Sequence, residues 1–342
     1  MNVIEELHPL ALRDACPCAE CRHPVSGQRL FESKRVLPDA RAVAAEVVDG
    51  ELSVEWADGH RSIFPLEWVR MQANGGPPAR TIRAWGDALP EHEWAAVRDD
   101  DSAKRDWLRD AAELGFAVLH GVPVEPGHVE RVARMFGAAR ETNYGVVFDV
   151  SVSVGATNLA DTSLPLSAHT DNPYREPAPT LQLLHCLESA VDGGNTVLVD
   201  GFAAAARLRP DQLDVLASTP IRFAYRDATA DLFADVPVVT VGPRGEVTGL
   251  HLNNRSKGIP VGDPAAVAAW YAAYLALLDA VESPDLEREF KLAPGDLVLF
   301  DNTRILHGRT GFTGEGSRRL QGCYADRDAL LSTLAVLERE AA

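Results

Sequence analysis

Leu297-Val298-Leu299-Phe300-Asp301-Asn302, then Arg304-Ile305-Leu306-His307-Gly308, is the stretch whose reading decides the fold. The first run is short, apolar and bounded by polar residues, which predicts a buried strand over 296–300. A few turn residues later 304–308 reads as a second strand, and 319–326 as a third. Strands this close in sequence have no room for crossover helices, so they pair antiparallel. Working outward, Phe116–His120, 179–187, Thr196–Asp200, 219–226, 237–241 and 247–252 also read as strands. Helices are predicted from a Ser102 cap to Gly115, over 127–140, over 202–216 and over Pro264–Val281. The expectation is a mixed α/β chain with a mainly β catalytic core. Its architecture would be a double-stranded β-helix, or jelly roll, with flanking helices, not a doubly wound parallel sheet.

His307 on the second of these strands has two counterparts far upstream, His169 and Asp171. Positions i and i+2 of an extended strand face the same way, so His169 and Asp171 can reach one metal. A neighbouring strand would bring His307 to it. Two imidazoles and one carboxylate on one face of an octahedron leave three positions open, the pattern of non-haem Fe(II) oxygenases. Arg318, shortly after His307, suits a cosubstrate with a distal carboxylate, because a guanidinium grips a carboxylate with two parallel hydrogen bonds. Arg319 is adjacent and would face the other way.

The chain has 342 residues, of which 46% are hydrophobic and 24% charged. That supports a full core and argues against disorder. A net charge of −17 disfavours nucleic acid and anionic membranes as partners. No uninterrupted run of about 18 apolar residues is present, so no membrane span is expected. Residues 1–12 lack the apolar core of a secretory signal. A reducing cytoplasm is the expected location, given five unevenly placed cysteines.

Three of those cysteines, Cys16, Cys18 and Cys21, crowd one loop. Leu52, Val54 and Trp56 then alternate with polar residues, Asp58-Gly59 makes a turn, and His60 opens a return strand ending near Phe64. A closed Cys₃His site would hold structural Zn(II), with His60 or the nearer His23 as fourth ligand. Residues 74–78 read as a linker. Two domains are therefore expected, a small zinc-binding one over 1–78 and a dioxygenase jelly roll over 84–342.

Dense stretches carry a family resemblance. They are Leu166-Ser167-Ala168-His169-Thr170-Asp171, 181–186, Gly193-Gly194-Asn195-Thr196, 199–202, 300–309 and 319–326. With them the chain resembles the taurine-dioxygenase-like Fe(II)/2-oxoglutarate oxygenases, in the branch of γ-butyrobetaine and trimethyllysine hydroxylases. The resemblance implies Fe(II) on His169, Asp171 and His307, with O₂ and 2-oxoglutarate as cosubstrates. It places the 2-oxoglutarate carboxylate on Arg318, with Thr196 and the backbone near Leu184 lining the pocket. It selects His60 over His23 for zinc, and it implies a homodimer.

For a small-molecule substrate, the branch reads a trimethylammonium group with aromatic faces. Tyr144, Phe148 and Tyr324 match cage positions, while Asp161 stands where the γ-butyrobetaine enzymes carry Tyr. At the anionic end Asn158 is retained, Tyr174 offers a hydroxyl, and Asn254-Arg255 adds a guanidinium. These departures resemble the branch member acting on 2-trimethylaminoethylphosphonate, which becomes the favoured substrate; γ-butyrobetaine is the alternative. A small sulfonate as substrate, and a non-catalytic jelly-roll metal protein, are further alternatives.

Overall fold

A computed structural model describes residues 7–76, 80–151, 162–313 and 316–341. The chain divides into two units, Met1–Ala79 and Arg80–Ala342.

In the first unit the alternating run forms the centre of a three-stranded antiparallel sheet, Ala42–Val48, Glu51–Trp56 and Arg61–Pro65. Leu52, Val54 and Trp56 point to one side and are buried with Leu12, Phe64 and Val69. The Trp56 indole N–H donates to Ser62 Oγ at 2.9 Å across the hairpin. So small a core supplies little stability by itself.

In the second unit two sheets face each other. One runs Glu91–Glu93, Phe116–His120, Leu297–Asp301, Leu181–Ser189, Arg318–Ala325, Ala139–Arg140, with Phe148–Ser151 also on the Arg318–Ala325 strand. The other runs Glu287–Phe290, Thr196–Asp200, Ile305–Arg309, Leu166–His169. Cys186, Val298, Phe300 and Leu320 from the first sheet meet Leu198 and Ile305 from the second in one buried cluster. Among the described residues every pairing in these sheets but one is antiparallel; Glu91–Glu93 runs parallel to Phe116–His120. Helices Asp101–Leu114 and Arg327–Ala341 cover the outer face of the larger sheet, through Trp107, Leu108, Leu330 and Leu334.

Several element ends differ from the sequence reading. The cap of the first long helix is Asp100, whose Oδ1 accepts from Ser102 N at 2.9 Å; Gly115 ends it in the left-handed conformation. The helix expected over 127–140 is only His128–Ala133, continued by tight turns, because Ala139–Arg140 must leave to pair with the Arg318–Ala325 strand. The helix expected over 202–216 splits into Gly201–Ala205 and Pro210–Ser218. Pro210 forces Arg209 into an extended conformation and then serves as the first residue of a new helix. A hairpin, Ile221–Arg226 with Asp231–Val236, includes a second strand the sequence reading left out.

Pro264–Val281, with mean hydropathy 1.4, is long and apolar enough to cross a membrane by length and composition alone. Its Trp270, Ala273, Tyr274 and Leu277 are buried in the core behind the smaller sheet, as in a core helix of a globular domain.

Candidate functional site

Strand register assembles the centre of the site. His307 and His169 are directly opposed residues of an antiparallel pair, and their rings lie 4.2 Å apart. The strand carrying His169 ends there. Asp171 reaches the same side from a turn, not from an extended strand as the sequence reading had it. Asn172 follows with φ of 53°, a conformation asparagine tolerates better than most residues. His169 Nε2 is 3.3 Å from Asp171 Oδ1, and His307 Nε2 is 3.9 Å from Oδ2. Two ligand atoms about 2.1 Å from one ion and at right angles lie about 3 Å apart, so the set fits a single octahedral cation with little movement.

The protonation states fit as well. Burial, then the neighbouring His169, pushes His307 down to about 3, leaving a neutral imidazole able to ligate. Burial works against the Asp171 carboxylate, yet hydrogen bonding to His169 and Tyr324 holds its pKa below the usual carboxylate range. The Tyr324 hydroxyl donates to Asp171 Oδ2 at 2.8 Å. His169 Nδ1 is 2.9 Å from Ser167 O, which leaves Nε2 able to ligate a metal.

Alternation along Arg318–Ala325 sorts the two arginines. Leu320 lies in the core between the sheets and Tyr324 meets Asp171, so Arg318 shares that inner face. Arg319 turns outward to Asp149, with Nε 2.8 Å from Oδ1. Arg318 packs over Phe312 at 5.7 Å and has no carboxylate partner among the described residues. Burial lowers its pKa. A desolvated guanidinium without a counter-charge is a ready site for a carboxylate ligand. Gly194 permits this placement: a β-carbon there would come within 3.0 Å of Arg318 Nε. Thr196 is buried on the same strand face as Leu198, opposite Arg309, and Leu184 packs against the inter-sheet core.

An aromatic array begins at Tyr324, which is hydrogen-bonded to Asp171. Tyr324 stacks on Phe148 at 5.0 Å, Phe148 meets Tyr144 at 6.2 Å, Tyr144 meets Tyr225 edge-on at 5.8 Å, and Tyr225 stacks on Tyr174 at 5.1 Å. The Tyr144 and Tyr174 hydroxyls are 2.9 Å apart, and Tyr174 donates to Asn172 Oδ1 at 2.5 Å. Burial raises the pKa of Tyr144, Tyr174, Tyr225 and Tyr324, so all four are neutral phenols. Asn253 ties a second loop to the site, with Nδ2 donating to Thr170 O at 3.1 Å. Asn254 and Arg255 follow on that loop, both exposed. Although Arg255 is exposed overall, protein packed around part of its side chain lowers its pKa, while the negative charge of Asp171 opposes the shift. Asn158 and Asp161 lie outside the described residues.

Tyr225 and Asn302 are absent from the sequence candidates. A lone aromatic near the end of a half-buried strand looks like any core residue. An asparagine in a turn looks like a turn former.

In the first unit Cys16, Cys18 and Cys21 Sγ lie 3.3, 3.6 and 3.6 Å from His60 Nε2. Tetrahedral zinc with bonds of about 2.3 Å to sulfur and about 2.0 Å to nitrogen separates those atoms by about 3.5 Å. The donor set therefore fits that ion. Glu20 approaches His60 Nδ1 at 3.5 Å, and Arg13 donates to Cys21 Sγ at 3.3 Å. His23 is not in the cluster; its Nδ1 accepts from Ser26 N at 3.1 Å within its own turn.

Two facing sheets around two histidines and a carboxylate define a non-haem oxygenase architecture. Residues 76–324 match the family described as taurine catabolism dioxygenase TauD, TfdA, and residues 2–70 match gamma-butyrobetaine hydroxylase-like, N-terminal. The chain belongs to the TauD, TfdA family and is a dioxygenase. It is 36% identical to gamma-butyrobetaine dioxygenase of Pseudomonas sp. (strain AK-1), across 98% of this chain and 91% of the relative. It is 29% identical to mitochondrial trimethyllysine dioxygenase of Rattus norvegicus, across 95% of this chain and 81% of the relative. Among solved structures, the non-heme iron oxygenase OrfP in complex with Fe and alpha-ketoglutaric acid shares the fold. Its TM-score is 0.53 at 18% identity, over 70% of this chain and 95% of that one.

Proposed function

We propose that this dioxygenase hydroxylates a small trimethylammonium compound with Fe(II) and 2-oxoglutarate, and that γ-butyrobetaine is the first substrate to test. The carrying observation is the run of aromatic rings joined to the metal ligand by the Tyr324–Asp171 hydrogen bond. A trimethylammonium group donates no ordinary hydrogen bonds. It binds aromatic faces, each good contact contributing about 0.5–2 kcal/mol. The identity to gamma-butyrobetaine dioxygenase supports the same choice.

In this reading His169, Asp171 and His307 hold the iron, which with 2-oxoglutarate and O₂ supplies the oxidising power for an unactivated C–H bond. The protein's own contribution is position. Arg318 binds the distal carboxylate of 2-oxoglutarate, with Thr196 and Leu184 beside it. Tyr144, Phe148 and Tyr324 hold the onium, and the loop with Asn254 and Arg255 takes the substrate's anionic end. One C–H is thereby held against the metal face, and the entropy of orienting it is lost on binding instead of at the reaction step. Cys16, Cys18, Cys21 and His60 hold a structural zinc ion.

Arg255 favours a second reading, 2-trimethylaminoethylphosphonate, because a phosphonate brings more charge and a third acceptor oxygen to a guanidinium. The test is succinate release from 2-oxoglutarate with γ-butyrobetaine, trimethyllysine and the phosphonate in parallel. Preference for the phosphonate, lost selectively in Arg255→Ala, would select the second reading. No substrate-dependent succinate with any of the three would overturn both.

A further inference from the structure

Tyr225 sits where two recognition elements meet. Its ring stacks on Tyr174 at 5.1 Å with planes 21° apart and meets Tyr144 edge-on at 5.8 Å. It therefore bridges Tyr144 and Tyr174 in the part of the array beyond Phe148. The ring has little freedom. Its hydroxyl donates to Asp227 Oδ2 at 2.8 Å. Asp227 is itself fixed, because Oδ1 accepts from Thr229 N at 2.6 Å, Thr229 Oγ1 at 2.9 Å and Ala230 N at 2.7 Å.

The strand that carries Tyr225 is also bonded to the loop that carries Arg255. Ala224 N donates to Ser256 O at 2.9 Å, and Gly258 N donates to Arg222 O at 2.7 Å. Phe223 and Lys257 form a β-bridge between these bonds. Lys257 in turn lies 5.2 Å from the Tyr274 ring and 5.6 Å from that of Trp270 on the long helix. The aromatic wall and the guanidinium thus belong to one hydrogen-bonded piece of backbone.

We propose that Tyr225 is a specificity-determining residue, the wall of the onium site whose distance from Arg255 is set by the Ile221–Val236 hairpin. This rests on the trimethylammonium reading above. A neutral phenol presents an electron-rich face, and Asp227 behind its hydroxyl adds a fixed negative charge on the same side. Both favour a cation over an uncharged group of the same shape.

The test uses the iron-loaded full chain. It compares γ-butyrobetaine with its uncharged tert-butyl isostere, as kcat/KM for each. Wild type should prefer the onium. In Tyr225→Leu that preference should fall about tenfold, with kcat/KM for the isostere within about twofold and the KM for 2-oxoglutarate unchanged. Tyr225→Phe, which keeps the ring, should retain most of the preference. If Tyr225→Leu weakens both substrates equally, or neither, the ring has only a packing role and the assignment is overturned. If wild type itself does not prefer the onium, the trimethylammonium reading fails and takes this assignment with it.

Discussion

Asn302 holds both backbone polar groups of Asp171. Its Oδ1 accepts from Asp171 N at 2.7 Å, and its Nδ2 donates to Asp171 O at 2.9 Å. The same amide also reaches Pro179 O at 2.9 Å. A carboxylate that lies beyond the end of its strand is thereby fixed as firmly as a side chain within it.

The first prediction follows from that clamp. Asn302→Ala leaves His169, Asp171 and His307 in the chain but frees the Asp171 backbone. Ferrous iron affinity should fall about 10- to 100-fold, the usual effect of losing an outer partner. Equilibrium dialysis of iron against wild type measures it directly. An affinity within twofold of wild type would show that the clamp does not position Asp171.

Arg318→Ala should act on the cosubstrate alone. Losing a charge-assisted pair costs about 2–3 kcal/mol, so the KM for 2-oxoglutarate should rise roughly 30- to 150-fold. Iron binding should be unchanged, and Arg318→Lys should recover part of the loss. A change in iron affinity without a change in this KM would place the guanidinium elsewhere in the reaction.

Gly322 is required by the stack of Phe148 on Tyr324. A β-carbon there would overlap the Phe148 ring and approach Leu184 Cδ2 to 3.1 Å. Gly322→Ala should push Phe148 out of the array and raise the KM for the onium substrate about tenfold, the loss of one good ring contact. Iron content should stay the same. An unaltered KM would remove Phe148 from the binding wall.

If Cys16, Cys18, Cys21 and His60 hold zinc as proposed, the small unit should depend on it. Structural zinc contributes on the order of 10 kcal/mol to such folds, far more than a core of this size provides. Cys18→Ser should lower zinc content measured by elemental analysis and make residues within 7–76 the first cleaved in limited proteolysis. Full zinc stoichiometry in the variant would exclude Cys18 as a ligand.

Stability should fall on the acid side through His185. This side chain is fully buried, and burial, with the charge of His128 second, pushes its pKa down to about 4. The unfolded imidazole takes a proton below about 6.5 and the folded one does not. Stability is therefore level above that pH and declines between about 6.5 and 4, by about 2 kcal/mol already at pH 5. Denaturant unfolding at pH 7.5 and pH 5 should show this gap in wild type and a smaller one in His185→Leu. Equal gaps in the two proteins would assign the acid sensitivity to other groups.

Much of the architecture was legible along the chain because it is written in local periodicity. Phe116–His120, Thr196–Asp200 and Pro264–Val281 have the expected limits, since apolar runs and caps act over a few residues. Residues 127–140 were not legible in the same way. There amphipathic spacing continues past the end of the helix, and the sheet, not local preference, decides where it stops.

The sequence by itself determined which side chains could serve a metal or an anion: His169, Asp171, His307, Arg318 and the four zinc-ligand candidates. Their types and spacing carry that information, with the family resemblance choosing His60 over His23 and Arg318 over Arg319. Only the tertiary structure decided that His169 faces His307 across a register, that Asp171 reaches them from a turn held by Asn302, and that Tyr225 joins rings distant in sequence. Register and ring stacking are relations between segments far apart in the chain, as between His169 and His307 or Phe148 and Tyr324. No local pattern encodes them, because the free energy that fixes them arises only when the sheets close on a common core.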